Sequence, residues 1–174
     1  MHSLSDSEMI EALAVFEEAI PGGFRFEDIP AMRGVLKELE REFAANAPEI
    51  PEVAVRDVLA PSRKGEPEVR VRIYEPKGRS QMLPALFWIH GGGFITGTVE
   101  GDDMTVKQMV KALNCVIASV DYRLAPEHPF PVPLEDCYTG LKWVFDEAEN
   151  LNIDPHRIAI GGASAGGGLA AGLS

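Results

Sequence analysis

A serine stands between small residues near the carboxyl end of the sequence, in the stretch Gly162-Ala163-Ser164-Ala165-Gly166. This G-x-S-x-G pattern lies between an apolar run typical of a strand and a small-residue run typical of a helix, the setting of a nucleophilic serine. A serine on so sharp a turn has a strained backbone that exposes Oγ, and small neighbours avoid clashes. The pattern predicts Ser164 as a nucleophile, with Gly162 and Gly166 shaping its turn. The alternative is a glycine-rich turn that packs a helix closely against a sheet.

Three consecutive glycines, Gly91, Gly92 and Gly93, follow an apolar run that ends in a histidine. A serine that attacks a carbonyl group needs hydrogen-bond donors directed at the oxyanion that develops, and backbone N–H groups can serve where no side chain blocks the approach. We therefore predict an oxyanion hole formed by the N–H groups of Gly92, Gly93 and Ala165, with Gly91 easing the turn.

Two other functions of glycine-rich sequences fit these stretches poorly. A phosphate-binding loop would continue into Gly-Lys-Ser/Thr and a helix, and neither follows Gly93. The residues Gly166, Gly168 and Ala171 match a loose dinucleotide-binding pattern, but they lie within the predicted helix and not at the end of a strand.

The segments around these motifs alternate between strands and helices. Residues 53–61 and 68–76 have alternating apolar side chains and flank a turn at 62–67, which predicts an antiparallel hairpin. Buried strands are predicted at residues 83–90 and 115–122, and a fifth strand at residues 157–162 follows a turn at Asp154 and Pro155. Helical periodicity between these strands indicates crossover connections, so the predicted fold class is α/β with a mostly parallel central sheet.

The predicted helices between the strands have apolar faces. One face consists of Val106, Met109, Val110 and Leu113. The other consists of Leu134, Cys137, Tyr138, Leu141, Phe145 and Ala148. We expect Asp102 and Asp103 to cap the first of these helices, and Asp121, Glu127 and Asp136 to pair with Arg123 or cap the second.

Two further helices are predicted before residue 50, where the composition changes. Ser5 and Glu8 fit a capping box for the first helix, and Pro21 ends it. The apolar stripes of the two helices are Met9, Leu13, Phe16 and Ile20, and then Met32, Val35, Leu36, Leu39 and Phe43. We predict a helical segment at residues 1–50 and an α/β segment at residues 51–174.

Composition excludes several partners. The net charge of −11 over 174 residues disfavours nucleic acid and anionic membranes as ligands. No apolar run approaches the ~20 residues of a membrane span, and the acidic amino terminus does not resemble a secretory signal, so we expect a cytoplasmic protein. Cys115 and Cys137 are expected as buried thiols, and no residues have metal-ligand spacing.

Three stretches together resemble the hormone-sensitive-lipase-like branch of the α/β-hydrolases, which contains bacterial carboxylesterases. They are HGGGF at 90–94, DYRLAPEHPFP at 121–131 and GGASAGGGLA at 161–170. The resemblance implies the α/β-hydrolase fold, with residues 1–50 as the first part of a helical cap. It also implies hydrolysis of carboxylic esters of short to medium acyl length without metal or cofactor, and a loop-shaping role for His90.

The acid and the histidine of the family's catalytic triad follow the serine in chain order. The ten residues after Ser164, AGGGLAAGLS, contain neither an acid nor a histidine. None of the earlier histidines, His2, His90, His128 and His156, is expected to act as the base. The chain therefore resembles the amino-terminal part of a longer enzyme, with the remainder expected as another segment or chain.

A receptor is the alternative to an enzyme. Non-catalytic hormone receptors, such as the gibberellin receptor, resemble the same branch and can keep the serine while they lose the histidine. Such a protein would bind a small molecule in the pocket and a partner protein through the cap. A histidine beyond Ser174 would indicate the enzyme.

Overall fold

The computed structural model describes residues 6–20, 23 and 26–174 of the chain. These residues fall into two compact units, Met1–Ala47 and Pro48–Ser174. The division lies three residues before the predicted boundary, and the assignment of the first unit to a cap stays a prediction.

The first unit is helical. A short 3₁₀ turn at Ser7–Met9 leads into α1 (Ile10–Ala19), and α2 spans Ile29–Asn46. Asp28 caps α2, because its side chain accepts a hydrogen bond of 3.0 Å from the Ala31 N–H group. The predicted signals at Ser5 and Pro21, and the side chain of Phe16, lie outside the described residues.

The second unit contains a mixed five-stranded sheet. Its strands are β1 (Val53–Ala60), β2 (Val69–Pro76), β3 (Leu83–Ile89), β4 (Val116–Val120) and β5 (Ile153–Gly162). Their order across the sheet is β1-β2-β4-β3-β5. The predicted hairpin is confirmed, since β1 and β2 pair antiparallel, and β3 pairs parallel with both β4 and β5. The carboxyl ends of β3 and β5, which precede the two glycine motifs, therefore lie side by side.

Helices cover both faces of this sheet. They are α3 (Asp103–Leu113), α4 (Val132–Asp146) and α5 (Ala165–Leu173). Phe87 and Ile89 of β3 belong to the buried cluster that includes α4 and α5, whereas Leu86 packs with α3 in a second cluster. Alternate residues of β3 thus face opposite layers, as expected for a strand buried on both sides.

Part of the apolar face predicted for α4 was wrong. Tyr138 and Phe145 are exposed, while Gly140 and Val144 are buried. The buried face is centred on Cys137, one residue and about 100° around the helix from Tyr138. Gly140 allows close packing, because a β-carbon there would lie 3.3 Å from Phe87, Val120 and Val71. Leu113 of α3 is exposed as well.

The last strand begins earlier than predicted. Ile153 pairs with Leu83, but Ile158 pairs with Ala85, so the register shifts between the two. Asp154 and Pro155 therefore lie within an irregular start of β5 and not in a turn before it. Of the helices that the structure describes, none has the length and apolar character needed to cross a membrane.

Candidate active site

Ser164 occupies a sharp turn between β5 and α5. It is the residue before α5, and its φ of 49° and ψ of −115° lie outside the regions that L-residues ordinarily adopt. Such a conformation costs on the order of 1–3 kcal/mol and persists only where the surroundings enforce it. The Ala163 N–H group donates to the Ile89 carbonyl oxygen at 3.1 Å, which ties the turn to the end of β3. The Ser164 side chain is left exposed.

Close backbone packing explains the glycines on either side of the serine. A β-carbon on Gly166 would lie 2.1 Å from the Ile89 oxygen and 2.5 Å from the His90 oxygen. A β-carbon on Gly162 would lie 2.5 Å from the Gly166 carbonyl group. Side chains at either position would therefore push the first turn of α5 away from β3.

The loop after β3, which we call the glycine loop (residues 90–97), lies against the serine turn. A β-carbon on Gly91 would lie 3.0 Å from the Ala163 oxygen and 3.6 Å from Ser164 Cβ. Gly92 and Gly93 have φ values of 115° and 62°, which glycine adopts without steric cost. The structure thus brings together the two glycine motifs that are 72 residues apart in the sequence.

The carbonyl groups of the glycine loop are hydrogen-bonded. The Gly91 oxygen lies 2.7 Å from His90 Nδ1, and the Gly92 oxygen accepts from the N–H group and the hydroxyl of Thr96, both at 2.9 Å. The Phe94 oxygen accepts from the Ala125 N–H group at 2.9 Å. These contacts fix the orientation of the peptide planes.

The N–H groups predicted to bind an oxyanion differ from these carbonyl groups in their hydrogen bonding. Within the described part of the chain, no hydrogen bond is donated by the backbone N–H groups of Gly92, Gly93 or Ala165. Ala165 is also the first residue of α5, where the helix dipole favours negative charge. Within the described part of the chain, these three N–H groups are therefore available to an external acceptor.

The side chain of His90, the first residue of the glycine loop, is buried and stacked on a tyrosine. It is 1% exposed, and its ring stacks on Tyr122 with centroids 4.3 Å apart and planes inclined by 12°. The Tyr122 hydroxyl donates to the His90 carbonyl oxygen at 3.1 Å. Sequence reasoning gave Tyr122 no role, although it lies within the quoted stretch at 121–131.

An ion pair holds the segment at residues 121–131, which we call the proline loop. Asp136 of α4 is buried and accepts hydrogen bonds from the Arg123 backbone N–H at 2.9 Å, from Nε at 2.8 Å and from Nη2 at 2.7 Å. The predicted pairing of Asp136 with Arg123 is therefore confirmed. Asp121 pairs instead with Arg70 of β2.

A second network anchors the segment that follows the glycine loop. Glu100 binds Arg70 at 2.7 Å and Arg72 at 2.8 Å, and Asp103 accepts from the Tyr74 hydroxyl at 2.6 Å. Asp102 accepts from Trp88 Nε1 at 2.6 Å. Asp102 is the N-cap residue of α3, as expected, but its side chain makes no capping hydrogen bond, because both carboxylates are committed to these other donors.

None of the described histidines is hydrogen-bonded to the Ser164 hydroxyl. His156 lies in the first half of β5, at the end of the strand away from Ser164, and His2 is outside the described residues.

Cys115 and Cys137 are buried free thiols. The described residues contain no cluster of three acidic, histidine or cysteine side chains that could hold a metal.

Comparison with known proteins places this geometry in a family. A model of the alpha/beta hydrolase fold matches residues 86–174, which include the glycine loop, the proline loop and the serine turn. Esterase LipI of Mycobacterium tuberculosis is 36% identical over 157 residues, which cover 88% of this chain and 47% of that protein.

Two solved structures extend the comparison. A bacterial heroin esterase has a TM-score of 0.86 and 42% identity, covering 94% of this chain and 51% of the other. The thermostable carboxylesterase EstE1, cloned from a metagenomic library, has a TM-score of 0.78 and 42% identity, covering 84% and 49%. The chain spans about half the length of these relatives. It belongs to the α/β-hydrolase fold family, in the hormone-sensitive-lipase-like branch that contains the bacterial carboxylesterases.

Proposed function

We propose that this chain supplies the nucleophile and the oxyanion hole of a carboxylic ester hydrolase. The observation that carries the proposal is the strained Ser164 beside a loop whose Gly92 and Gly93 N–H groups, like that of Ala165, donate no hydrogen bond within the described part of the chain. The names of the relatives, which are esterases, support the same reaction class.

The reaction proceeds in two steps. Ser164 Oγ attacks the ester carbonyl carbon, its proton passes to a general base, and the carbonyl oxygen becomes an oxyanion held by the three N–H groups. The carbon–oxygen bond to the alcohol breaks, and the base returns the proton to the leaving alcohol. Water then attacks the acyl-serine through the same base and releases the carboxylic acid. One such N–H donor is worth roughly 3–4 kcal/mol of barrier.

We further propose that the base and its orienting acid come from a segment outside residues 1–174. Two observations support this step: the described residues place no histidine on the Ser164 hydroxyl, and the relatives are about twice as long as this chain. The order serine, acid, histidine in this fold points to a segment that follows the serine turn.

A chimera tests the proposal directly. Residues 1–174 would replace the matching half of the bacterial heroin esterase, to which they are 42% identical. We expect hydrolysis of p-nitrophenyl butyrate by the chimera, and its loss in a matched Ser164→Ala chimera. A folded chimera with a cooperative thermal transition but no activity would contradict the proposal and favour a receptor that binds its ligand without hydrolysis.

The substrate class is part of the proposal. We propose short to medium acyl esters, since the resemblance implies them. The active chimera should hydrolyse butyrate esters at least about tenfold faster than palmitate esters, measured as kcat/KM, because one misplaced methylene costs roughly 1–3 kcal/mol in a closed pocket. Equal or faster turnover of palmitate would show that the site accepts long chains.

A further inference from the structure

The glycine loop needs an external restraint to keep its N–H groups directed at the substrate. Its three consecutive glycines, Gly91, Gly92 and Gly93, have no side chains that could fix the backbone, and glycine loses more conformational freedom on folding than other residues. The restraints that the structure shows act on the carbonyl groups, and two of them involve one pair of stacked rings, His90 and Tyr122.

The contact between His90 and the loop defines the tautomer of the ring. Nδ1 lies 2.7 Å from the Gly91 oxygen, and because a carbonyl oxygen only accepts, Nδ1 must carry the proton. In the neutral ring Nε2 is then the nitrogen without a proton, and it is buried without a hydrogen-bond partner among the described residues. The ring is therefore held by a single hydrogen bond, which leaves it free to rotate unless packing prevents it.

Tyr122 provides that packing. It is 2% exposed, and its ring lies almost parallel to the His90 ring at 4.3 Å. Its hydroxyl also donates to the His90 carbonyl oxygen, the peptide that enters the glycine loop. Burial raises the pKa of this hydroxyl above its ordinary value, so the hydroxyl remains a donor throughout the range in which proteins are folded.

We infer that Tyr122 is a positioning residue of the oxyanion hole, acting through His90. The stacked ring fixes the His90 imidazole in the Nδ1–H tautomer that holds the Gly91 carbonyl, and the hydroxyl fixes the preceding carbonyl. Holding these two carbonyls fixes the peptide planes that carry the N–H groups of Gly91 and Gly92, while Thr96 holds the Gly92 carbonyl and with it the plane of the Gly93 N–H group. This inference rests on the proposed function of the glycine loop.

Two substitutions separate the two contacts, and a third provides a control. Tyr122→Phe removes the hydroxyl and keeps the stacked ring, whereas Tyr122→Leu removes both. Tyr74→Phe is the matched control, because Tyr74 is equally buried and its hydroxyl binds Asp103 and not the glycine loop. Thermal unfolding of each variant of residues 1–174 establishes which ones fold.

Nuclear magnetic resonance of residues 1–174 detects the tautomer of His90 and the amide signals of the glycine loop, and it does not require an active enzyme. In the wild-type chain we expect a protonated Nδ1 and a bare Nε2 at His90. Tyr122→Phe should keep this tautomer but shift the amide signals of Gly91, Gly92 and Gly93; Tyr122→Leu should mix the tautomers. Tyr74→Phe should leave all of these signals in place. A bare Nδ1 in the wild type, or glycine signals unmoved by Tyr122→Phe, would overturn the inference.

Kinetic measurements on the chimera then test how Tyr122 affects kcat and KM. Since removal of a whole oxyanion donor costs 10²–10³ in kcat, partial loss of its orientation in Tyr122→Phe should lower kcat about tenfold, with KM changed less than about twofold. Tyr74→Phe should change both constants less than about twofold. Equal kcat values for Tyr122→Phe and Tyr74→Phe would overturn the inference. An inactive wild-type chimera would count against the proposed function, and the resonance spectra would still decide the role of Tyr122.

Discussion

Ser164 has a backbone conformation that serine disfavours, and contacts with the surrounding backbone stabilise it. The turn is enforced by backbone atoms: the Ile89 oxygen accepts the Ala163 N–H group, and Gly166 lies so close to β3 that only a hydrogen atom fits. The strain is thus balanced by the packing of α5 on β3. A serine that is exposed on a rigid turn needs little reorganisation before it reacts.

Gly166→Ala should therefore be strongly destabilising. The new β-carbon would overlap the Ile89 oxygen at 2.1 Å, and that atom belongs to the central strand and cannot move freely. We expect a loss of about 3 kcal/mol or more in the free energy of unfolding, the upper range for overpacking, measured by urea denaturation of residues 1–174.

Gly168→Ala is the control for this prediction. It lies two residues later on α5, where the nearest atom to a new β-carbon is Phe94 Cζ at 3.9 Å. Alanine should be neutral or should stabilise the chain by up to about 1 kcal/mol, since it favours the helix over glycine. Similar losses at the two positions would mean that the close contact at Gly166 is not what constrains the turn.

The candidate chemical residues were recognisable in the sequence, whereas the contact between Tyr122 and His90 was not. Ser164 and the glycines occur in short contiguous motifs whose spacing has a steric reason. Tyr122 contacts a residue 32 positions away, and the contact depends on the parallel pairing of β3 with β4. Pattern alone cannot report such a contact, because a buried tyrosine after a strand is also what an ordinary core requires.

At the scale of elements, the proline loop is fixed to α4 by one buried carboxylate. Asp136→Asn would leave the Arg123 guanidinium with only the exposed Glu66 carboxylate, at 3.5 Å, as a counter-charge and would place amide hydrogens opposite its donors. Because hydrogen bonds to charged groups contribute about 1.5–3 kcal/mol and the Arg123 side chain is 26% exposed, we expect a loss of about 2–3 kcal/mol in unfolding free energy.

Asp146→Asn on the same helix offers a comparison. Asp146 pairs with Lys142, but both side chains are more than half exposed. Exposed pairs of this spacing contribute about 0.3–0.5 kcal/mol, so urea denaturation should detect little change. If Asp136→Asn is as mild as Asp146→Asn, the Arg123 pair does not fix the proline loop.

The network around Glu100 predicts a pH dependence. Hydrogen bonding from Arg70 lowers the pKa of Glu100, and hydrogen bonding from Arg72 lowers that of Asp57. A carboxylate with a lowered folded-state pKa stabilises the fold above its unfolded-state pKa of roughly 4, and this contribution is lost as the pH falls through the folded-state value. Stability should therefore decline with acidification below about pH 4.

Glu100→Gln measures how much one carboxylate of this network contributes to the free energy of unfolding. Glu100 is 47% exposed, so we expect a loss of about 1 kcal/mol or less at pH 7. The difference from the wild type should shrink as the pH approaches 3, in urea titrations at several pH values. Glu149→Gln, at an exposed position outside the network, should show neither effect. A difference that stays constant with pH would attribute the loss to packing instead of charge.

The sheet was predictable where side-chain patterns are regular and less so where they are not. The hairpin, the three apolar strands and the helices between them follow from periodicity of two and of 3.6 residues. The start of β5 departs from prediction because Asp154 and Pro155 are turn-forming residues that here lie in a register shift against β3. The Asp102 side chain does not cap α3, because its carboxylate accepts a hydrogen bond from Trp88, 14 residues earlier on β3.

At the scale of the whole molecule, the second unit combines a buried core with the candidate site proposed above. The core extends over both faces of the sheet, and the serine turn and glycine loop lie together at the carboxyl ends of β5 and β3. The relatives are about twice as long as this chain, and the proposed base belongs to a segment that residues 1–174 do not contain. The proposal therefore assigns the nucleophile and the oxyanion hole to residues 1–174 and the general base to a different segment.

Residues 1–174 alone should consequently fail as an enzyme. Without a base, the Ser164 hydroxyl keeps its proton and is a poor nucleophile, and triad removal in serine hydrolases costs on the order of 10⁴–10⁶ in kcat. We expect no esterase activity above a Ser164→Ala control and no labelling of Ser164 by a fluorophosphonate. The chimera with the heroin esterase half should regain both, since the same serine then has a proton acceptor. Robust activity of residues 1–174 that Ser164→Ala abolishes would instead identify one of their own histidines as the base, with His128 and His156 the first to be substituted.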